Sequence, residues 1–197
     1  MTSAGHWSDN VATLTRLLAD LSARESTGRE LDADAAFIRW RDTTLALRAA
    51  RGTVYLVGNG ASASMASHFA ADLAKNAHVR TEVFSDLSLI TAIANDLCYE
   101  EVFAEPLRRR WTAGDMLVAI SSSGRSPNIL RAVAEARRLS GTVVTLSAMA
   151  AGNPLRSAGD LNFYLPAETY GLAESGHAAI LHHWMDLVAA GSGPGVS

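Results

Sequence analysis

Two imidazoles and two carboxylates fall at helical spacing in this chain: His68 with Asp72, and Glu174 with His182. Residues four apart share a helix face, so His68 and Asp72 form a side-by-side pair. Eight residues along a helix leave a net rotation of roughly 80°, so Glu174 and His182 can line one wall, while His183 turns elsewhere. A carboxylate on one helix and an imidazole on another would supply a base and an acid for proton transfer. The same four side chains could equally hold a divalent metal. Taken alone, a His–Asp pair is more often a surface hydrogen bond, and spacing does not by itself bring two helices together.

Two loops could receive a ligand next to such a site. The first, Gly58-Asn59-Gly60-Ala61-Ser62-Ala63, follows the apolar run "TVYLV" and fits the alanine form of the dinucleotide pattern G-x-G-x-x-G/A. Glycines allow close backbone approach, and a helix N-terminus offers free N–H groups to an anion. No lysine follows the turn, so it is not a Walker loop. The second, Ser121-Ser122-Ser123-Gly124-Arg125-Ser126-Pro127-Asn128, follows "DMLVAI". Ser126 suits an N-cap and Pro127 the first turn, so hydroxyls and backbone amides converge on one helix start. Neutral donors with a helix dipole suit a phosphate monoester dianion. A nicotinamide enzyme has no evident need for this second loop, which favours a phosphorylated sugar over a dinucleotide.

These loops must be held by a frame, and the frame is legible. From residue 53 onward, strand-length runs ("TVYLV", "TEVF", "DMLVAIS", "TVVTLS", "LNFYLP") alternate with helical stretches, the last of them "GLAESGHAAILHHWMDLVAA". Continuous apolar strands separated by helices predict a parallel sheet covered on both faces, with ligands at the carboxyl ends of its strands. Upstream, residues 9–25 carry Val11, Leu14, Leu17, Leu18 and Leu21 at helical spacing, with Ser8 or Asp9 as cap. A second helix after "STGRELD" aligns Phe37, Trp40 and Leu47. This predicts two helices before any strand, whose apolar faces a neighbouring subunit would cover. The expected organisation is N-terminal helices over 1–50, an α/β domain over 51–190, and a flexible tail, "GSGPGVS", over 191–197.

Composition narrows the class. A net charge of −3 over 197 residues leaves no polybasic footprint, so nucleic acid is not the expected ligand. No apolar run reaches the ~20 residues that span a bilayer, and the polar "MTSAGHWSDN" is unlike a secretory leader. The one cysteine, Cys98, forms no internal disulfide and reads as a small residue in or near the core. A cytoplasmic protein with no membrane association is expected.

Taken together, "GNGASA…SHFAADL", "SDLSLITAIAND", "ISSSGRSPN" and the closing E-x-x-H-x-x-x-x-H resemble the phosphoheptose isomerases of the sugar isomerase (SIS) domain family. The resemblance spans nearly the whole chain. It implies a flavodoxin-like three-layer α/β sandwich around a five-stranded parallel sheet, assembled as a homotetramer with active sites between subunits. It implies an aldose–ketose isomerase acting on sedoheptulose 7-phosphate. By position it assigns Ser62, Ser121, Ser123 and Ser126 to the phosphate, with Ser122 beside them, and Asn59 and Asp96 to the sugar. His182 matches the catalytic histidine. Some members carry zinc on four side chains, whose places here are His68, Asp72, Glu174 and His182. Two departures stand out: Asp72 occupies the position of a catalytic glutamate, and Glu174 that of a glutamine. Either carboxylate, Asp72 or Glu174 in its stead, is then the expected base. Ala61, where a second glycine is common, is a smaller difference. Some relatives without the catalytic carboxylate act instead as protein-binding factors, and sensing of a sugar phosphate without turnover is a third reading.

Overall fold

The computed structural model describes residues 5–191, so the predicted tail lies, from residue 192, outside the described residues. In chain order the elements are α1 (Trp7–Ala19), β1 (Ser22–Glu25), β2 (Glu30–Leu31), α2 (Ala33–Ala49), β3 (Thr53–Gly58), α3 (Ala61–Ala77), β4 (Arg80–Val83), α4 (Leu87–Asp96), α5 (Ala104–Arg110), β5 (Met116–Ser121), α6 (Pro127–Arg138), β6 (Thr142–Ala148), β7 (Leu161–Leu165) and α7 (Tyr170–Ala190). The sheet runs in the order β2-β1-β7-β6-β5-β3-β4. The strands from β3 to β7 are mutually parallel, as the apolar runs predict.

Alternation along each strand builds two cores. On β3, Val54 and Leu56 join one cluster, whereas Tyr55 and Val57 join the other. The first cluster takes in Leu17 of α1, Trp40 of α2, Phe69 of α3 and Trp184 of α7. The second takes in Ile93 of α4, Leu107 of α5 and Ile129 of α6. Three layers result, with the N-terminal helices sharing the first core.

The stripe on α2 is buried. Trp40 stacks on Trp184 with ring centroids 4.0 Å apart, and the Trp184 indole donates to Thr44 Oγ1 at 3.1 Å. Asp32 caps α2 by accepting from the Ala35 N–H at 3.1 Å. Replacing Asp32 with alanine is expected to lower unfolding free energy by about 1 kcal/mol, measured by urea denaturation. An unchanged midpoint would show that this cap contributes nothing.

Four expectations change. The helix read over 9–25 ends at Ala19, and its N-cap is His6, with no side-chain cap, rather than Ser8 or Asp9. Residues 22–31 form an antiparallel hairpin before α2, so a strand pair separates the two helices. Strand β1 pairs antiparallel with β7, matching Ser22 to Tyr164 and Glu25 to Leu161, so the hairpin adds two strands at the edge of the expected five-stranded parallel sheet. The cause is long-range: the backbone edge of β7 recruits a polar segment with little apolar alternation of its own. Finally, Cys98 is exposed beyond α4 rather than packed in the core.

Candidate functional site

Loop geometry at the carboxyl ends of β3 and β5 follows from two glycines. A Cβ on Gly58 would lie 2.6 Å from the backbone of Ser62, so only glycine lets the first turn of α3 fold back onto β3. Gly124 has φ +61°, and a Cβ there would meet the Asn153 side chain. Between these loops lies a cavity of about 180 Å³, lined by Asn59, Ser62, Ile120, Ser121, Ser122, Ser123, Ser126, Tyr170 and Glu174. Ser126 occupies the N-cap position of α6, yet its hydroxyl lies 3.3 Å from that of Ser121 instead of capping a backbone N–H. The hydroxyls of Ser121 and Ser126 thus stay on the cavity wall rather than serving the helix start.

The two loops are locked together by a pair of amides. Asn59 and Asn128 exchange reciprocal hydrogen bonds, each 2.9 Å long, and Asn128 Oδ1 also accepts from the Ile129 N–H at 3.0 Å. Tyr99 donates to Asn59 Oδ1 at 3.4 Å from the rim of a neighbouring apolar hollow that also includes Phe84 and Phe103. Asn128 and Tyr170 received no role from the sequence. Asn128 sits inside the "SPN" that closes the serine motif, where its neighbours drew attention to hydroxyls only.

Helices α3 and α7 do meet. The His68 and His182 rings lie 5.7 Å apart, His182 sits edge-on to Phe69 at 4.7 Å, and His68 Nε2 lies 3.4 Å from Asp72 Oδ2. His183 points away to Phe37, 4.6 Å off. Glu174 and His182, expected on one wall, are separated along the axis: eight residues of α-helix span about 12 Å. Glu174 opens on the serine cavity, whereas His182 joins the His68–Asp72 group further along the helices. Asp96, at the end of α4, is exposed, accepts from the Asn95 side chain at 2.9 Å, and lines neither cavity.

Among the described residues, no three His, Cys, Asp or Glu side chains gather into a set that could hold a metal ion. The four zinc positions implied by the resemblance thus do not converge within one chain, and no step is assigned to a metal.

One further histidine lies beneath the site. His177, a turn along α7 from Glu174, is fully buried, and neither ring nitrogen makes a hydrogen bond of full geometry, the Ser147 backbone being its nearest polar neighbour. Burial pushes its pKa down to about 4, with the Ser147 backbone weakly opposing the shift. It is neutral at pH 7.

Chain and fold both have counterparts among known proteins. The family model for the SIS domain matches residues 34–148. Phosphoheptose isomerase from Coxiella burnetii is 35% identical over 139 residues, covering 66% of this chain and 70% of that protein. The chain belongs to the phosphoheptose isomerase family of SIS domain proteins. Another member, from Helicobacter pylori, is 33% identical over 144 residues, covering 70% of this chain and 74% of its own. The solved phosphoheptose isomerase GmhA from Neisseria gonorrhoeae superposes with a TM-score of 0.78 at 25% identity, covering 92% of this chain and 96% of that one. As an SIS domain protein, the chain keeps its serine-lined cavity within the first turns after β3 and β5. No helix among the described residues is long and apolar enough to cross a membrane.

Proposed function

We propose that this SIS domain protein isomerises a sugar phosphate, interconverting sedoheptulose 7-phosphate and the aldose heptose 7-phosphate through an enediol. The observation that carries the reading is the cavity in which Ser62, Ser121, Ser122, Ser123 and Ser126 stand around two helix N-termini with Glu174 on the same wall. Neutral hydroxyls and helix-end amides stabilise a phosphate dianion without a lysine. Relatives named phosphoheptose isomerase support the same substrate class.

With the phosphate in the serine loop, Glu174 is the carboxylate nearest the sugar chain. It removes the proton from the hydroxyl-bearing carbon beside the carbonyl; the electron pair forms the enediol double bond, and the carbonyl oxygen gains a proton. Loss of the other hydroxyl proton and return of a proton to the adjacent carbon complete the exchange. His182 shuttles protons at the oxygens. Its distance from the serine cavity along α7 requires a neighbouring subunit to bring such a group over, in line with a homotetramer whose active sites lie between subunits. Asp72 and His68 belong to that same contributed face, and Asn59, on the cavity wall, borders the sugar.

The test is direct: incubate the protein with sedoheptulose 7-phosphate, with and without added zinc, and follow the aldose by chromatography. Aldose formation is expected. Tight binding of the sugar phosphate with no exchange of its carbon-bound proton into deuterated water would reject the isomerase reading and leave a sensor.

A further inference from the structure

Behind the serine loop runs a strap, residues 147–157, that joins the end of β6 to a short 3₁₀ turn. It grips the loop at three points. The Ala148 N–H donates to the Ser122 carbonyl at 3.0 Å, and the Leu155 N–H donates to the Gly124 carbonyl at 3.2 Å. The third grip is the Asn153 side chain against Gly124, so close that a Cβ on Gly124 would fall 2.0 Å from Asn153 Oδ1.

Asn153 can brace the loop because its own carboxamide is immobilised. The residue is buried, its Nδ2 donates to the carbonyls of Ala150 and Ala148 at 2.9 and 3.2 Å and to Ser147 Oγ at 3.3 Å, and its Oδ1 accepts from the Arg156 N–H at 3.0 Å. A buried amide satisfied at both ends is costly to displace.

The consequence for the loop follows from peptide geometry. In a planar trans peptide, the carbonyl of one residue and the N–H of the next point in opposite directions. Holding the Ser122 and Gly124 carbonyls against the strap therefore turns the N–H groups of Ser123 and Arg125 away from it, toward the side where the serine hydroxyls stand. The Arg125 N–H makes only a long contact, 3.3 Å, with Ser123 Oγ. Successive N–H groups directed to one side form a concavity for an anion.

We infer that Asn153 is a positioning residue for phosphate binding: its buried carboxamide, braced against Gly124, orients the serine-loop amides toward the anion. The inference rests on the reading of the serine loop as the phosphate cradle. Asn153 touches no reacting atom, so its loss acts on binding and leaves the chemical step alone.

The experiment uses the full chain and two ligands, inorganic phosphate by calorimetry and sedoheptulose 7-phosphate by kinetics. Asn153→Ala is expected to weaken phosphate and raise KM by about tenfold to a hundredfold, with kcat at saturation within about threefold. Faster amide hydrogen exchange is expected at Ala148 and Leu155, whose N–H groups hold the loop carbonyls. Asn153→Asp keeps the shape and the Oδ1 acceptor but loses the donors. It serves if the alanine variant does not fold, and the same split between KM and kcat is expected. A Ser123→Ala/Ser126→Ala double variant separates the two levels. Unchanged phosphate affinity there rejects the phosphate cradle itself. Weakened phosphate there, with wild-type affinity and wild-type exchange in the Asn153 variants, overturns the positioning role alone.

Discussion

Exchanging Glu174 for glutamine is expected to lower kcat on sedoheptulose 7-phosphate by about 10²–10⁴-fold, the range supplied by a positioned general base. The substitution preserves shape and removes only the capacity to take a proton. Glu174 is the one carboxylate among the residues lining the serine cavity, so a substrate anchored there by its phosphate presents its carbon chain to it first. Asp72 is the rival: its side chain is one quarter exposed, pairs with His68, and stands outside that cavity. Asp72→Asn is therefore the matched comparison, read by kcat and by exchange of the carbon-bound proton with deuterated water. Loss of turnover in the Asp72 variant with less than tenfold loss in the Glu174 variant would hand the role to Asp72. Because Asp72 is a methylene shorter than glutamate, its reach is the quantity in question, and an error of about 1 Å costs roughly a hundredfold.

The second large effect is on stability. His177 is neutral in the native protein, with burial holding its pKa at about 4, whereas an unfolded histidine titrates near 6.5. Below pH 6.5 the unfolded chain thus binds a proton that the native chain refuses. Native stability is complete above pH 6.5 and falls as the pH drops toward 4. Over that window the loss amounts to about 3 kcal/mol, a large share of the ~5–15 kcal/mol that holds a typical domain. Urea denaturation between pH 7.5 and 4.5 measures it, with His177→Leu as reference. The leucine variant still carries the carboxylates that respond to acid elsewhere, so the difference between the two curves isolates the imidazole. The expected result is a shallower acid limb in the variant and no loss at pH 7.5, since leucine removes two unpaired buried nitrogens. Parallel curves would show that His177 is not the source.

Much of this architecture is written locally. The strands β3, β5, β6 and β7 follow apolar runs that need no context, and Ser126-Pro127 marks the start of α6 because capping and proline geometry act within one turn. The hydroxyls facing the cavity were legible for the same reason. What stayed hidden depends on partners far along the chain. The segment around Ser22–Leu31 becomes a hairpin only because β7, far along the chain, offers an unpaired edge, and Arg24 and Glu30 then pair across it. Asn153 carries no recognisable spacing to Gly124, since their contact is made by the strap's path. For Glu174 and His182, angular periodicity placed both on one side of α7, but rotation says nothing of the distance along the axis. That distance separates a residue on the serine cavity from one on the α3–α7 face.

The hairpin has a bearing on how the chain behaves among its own copies. A parallel sheet ending at β7 would present the backbone of Leu161–Leu165, five buried and mostly apolar residues, as a template for any passing strand. Strand β1 occupies that template, and the new border is β2, two residues long with the charged Glu30 at its start. At the opposite border, β4 places the charged Arg80 and Glu82 among its four residues. Both margins are thus short and charged, and neither invites strand-by-strand growth into fibrils. The polar decade between α1 and α2 serves as a guard against misassembly.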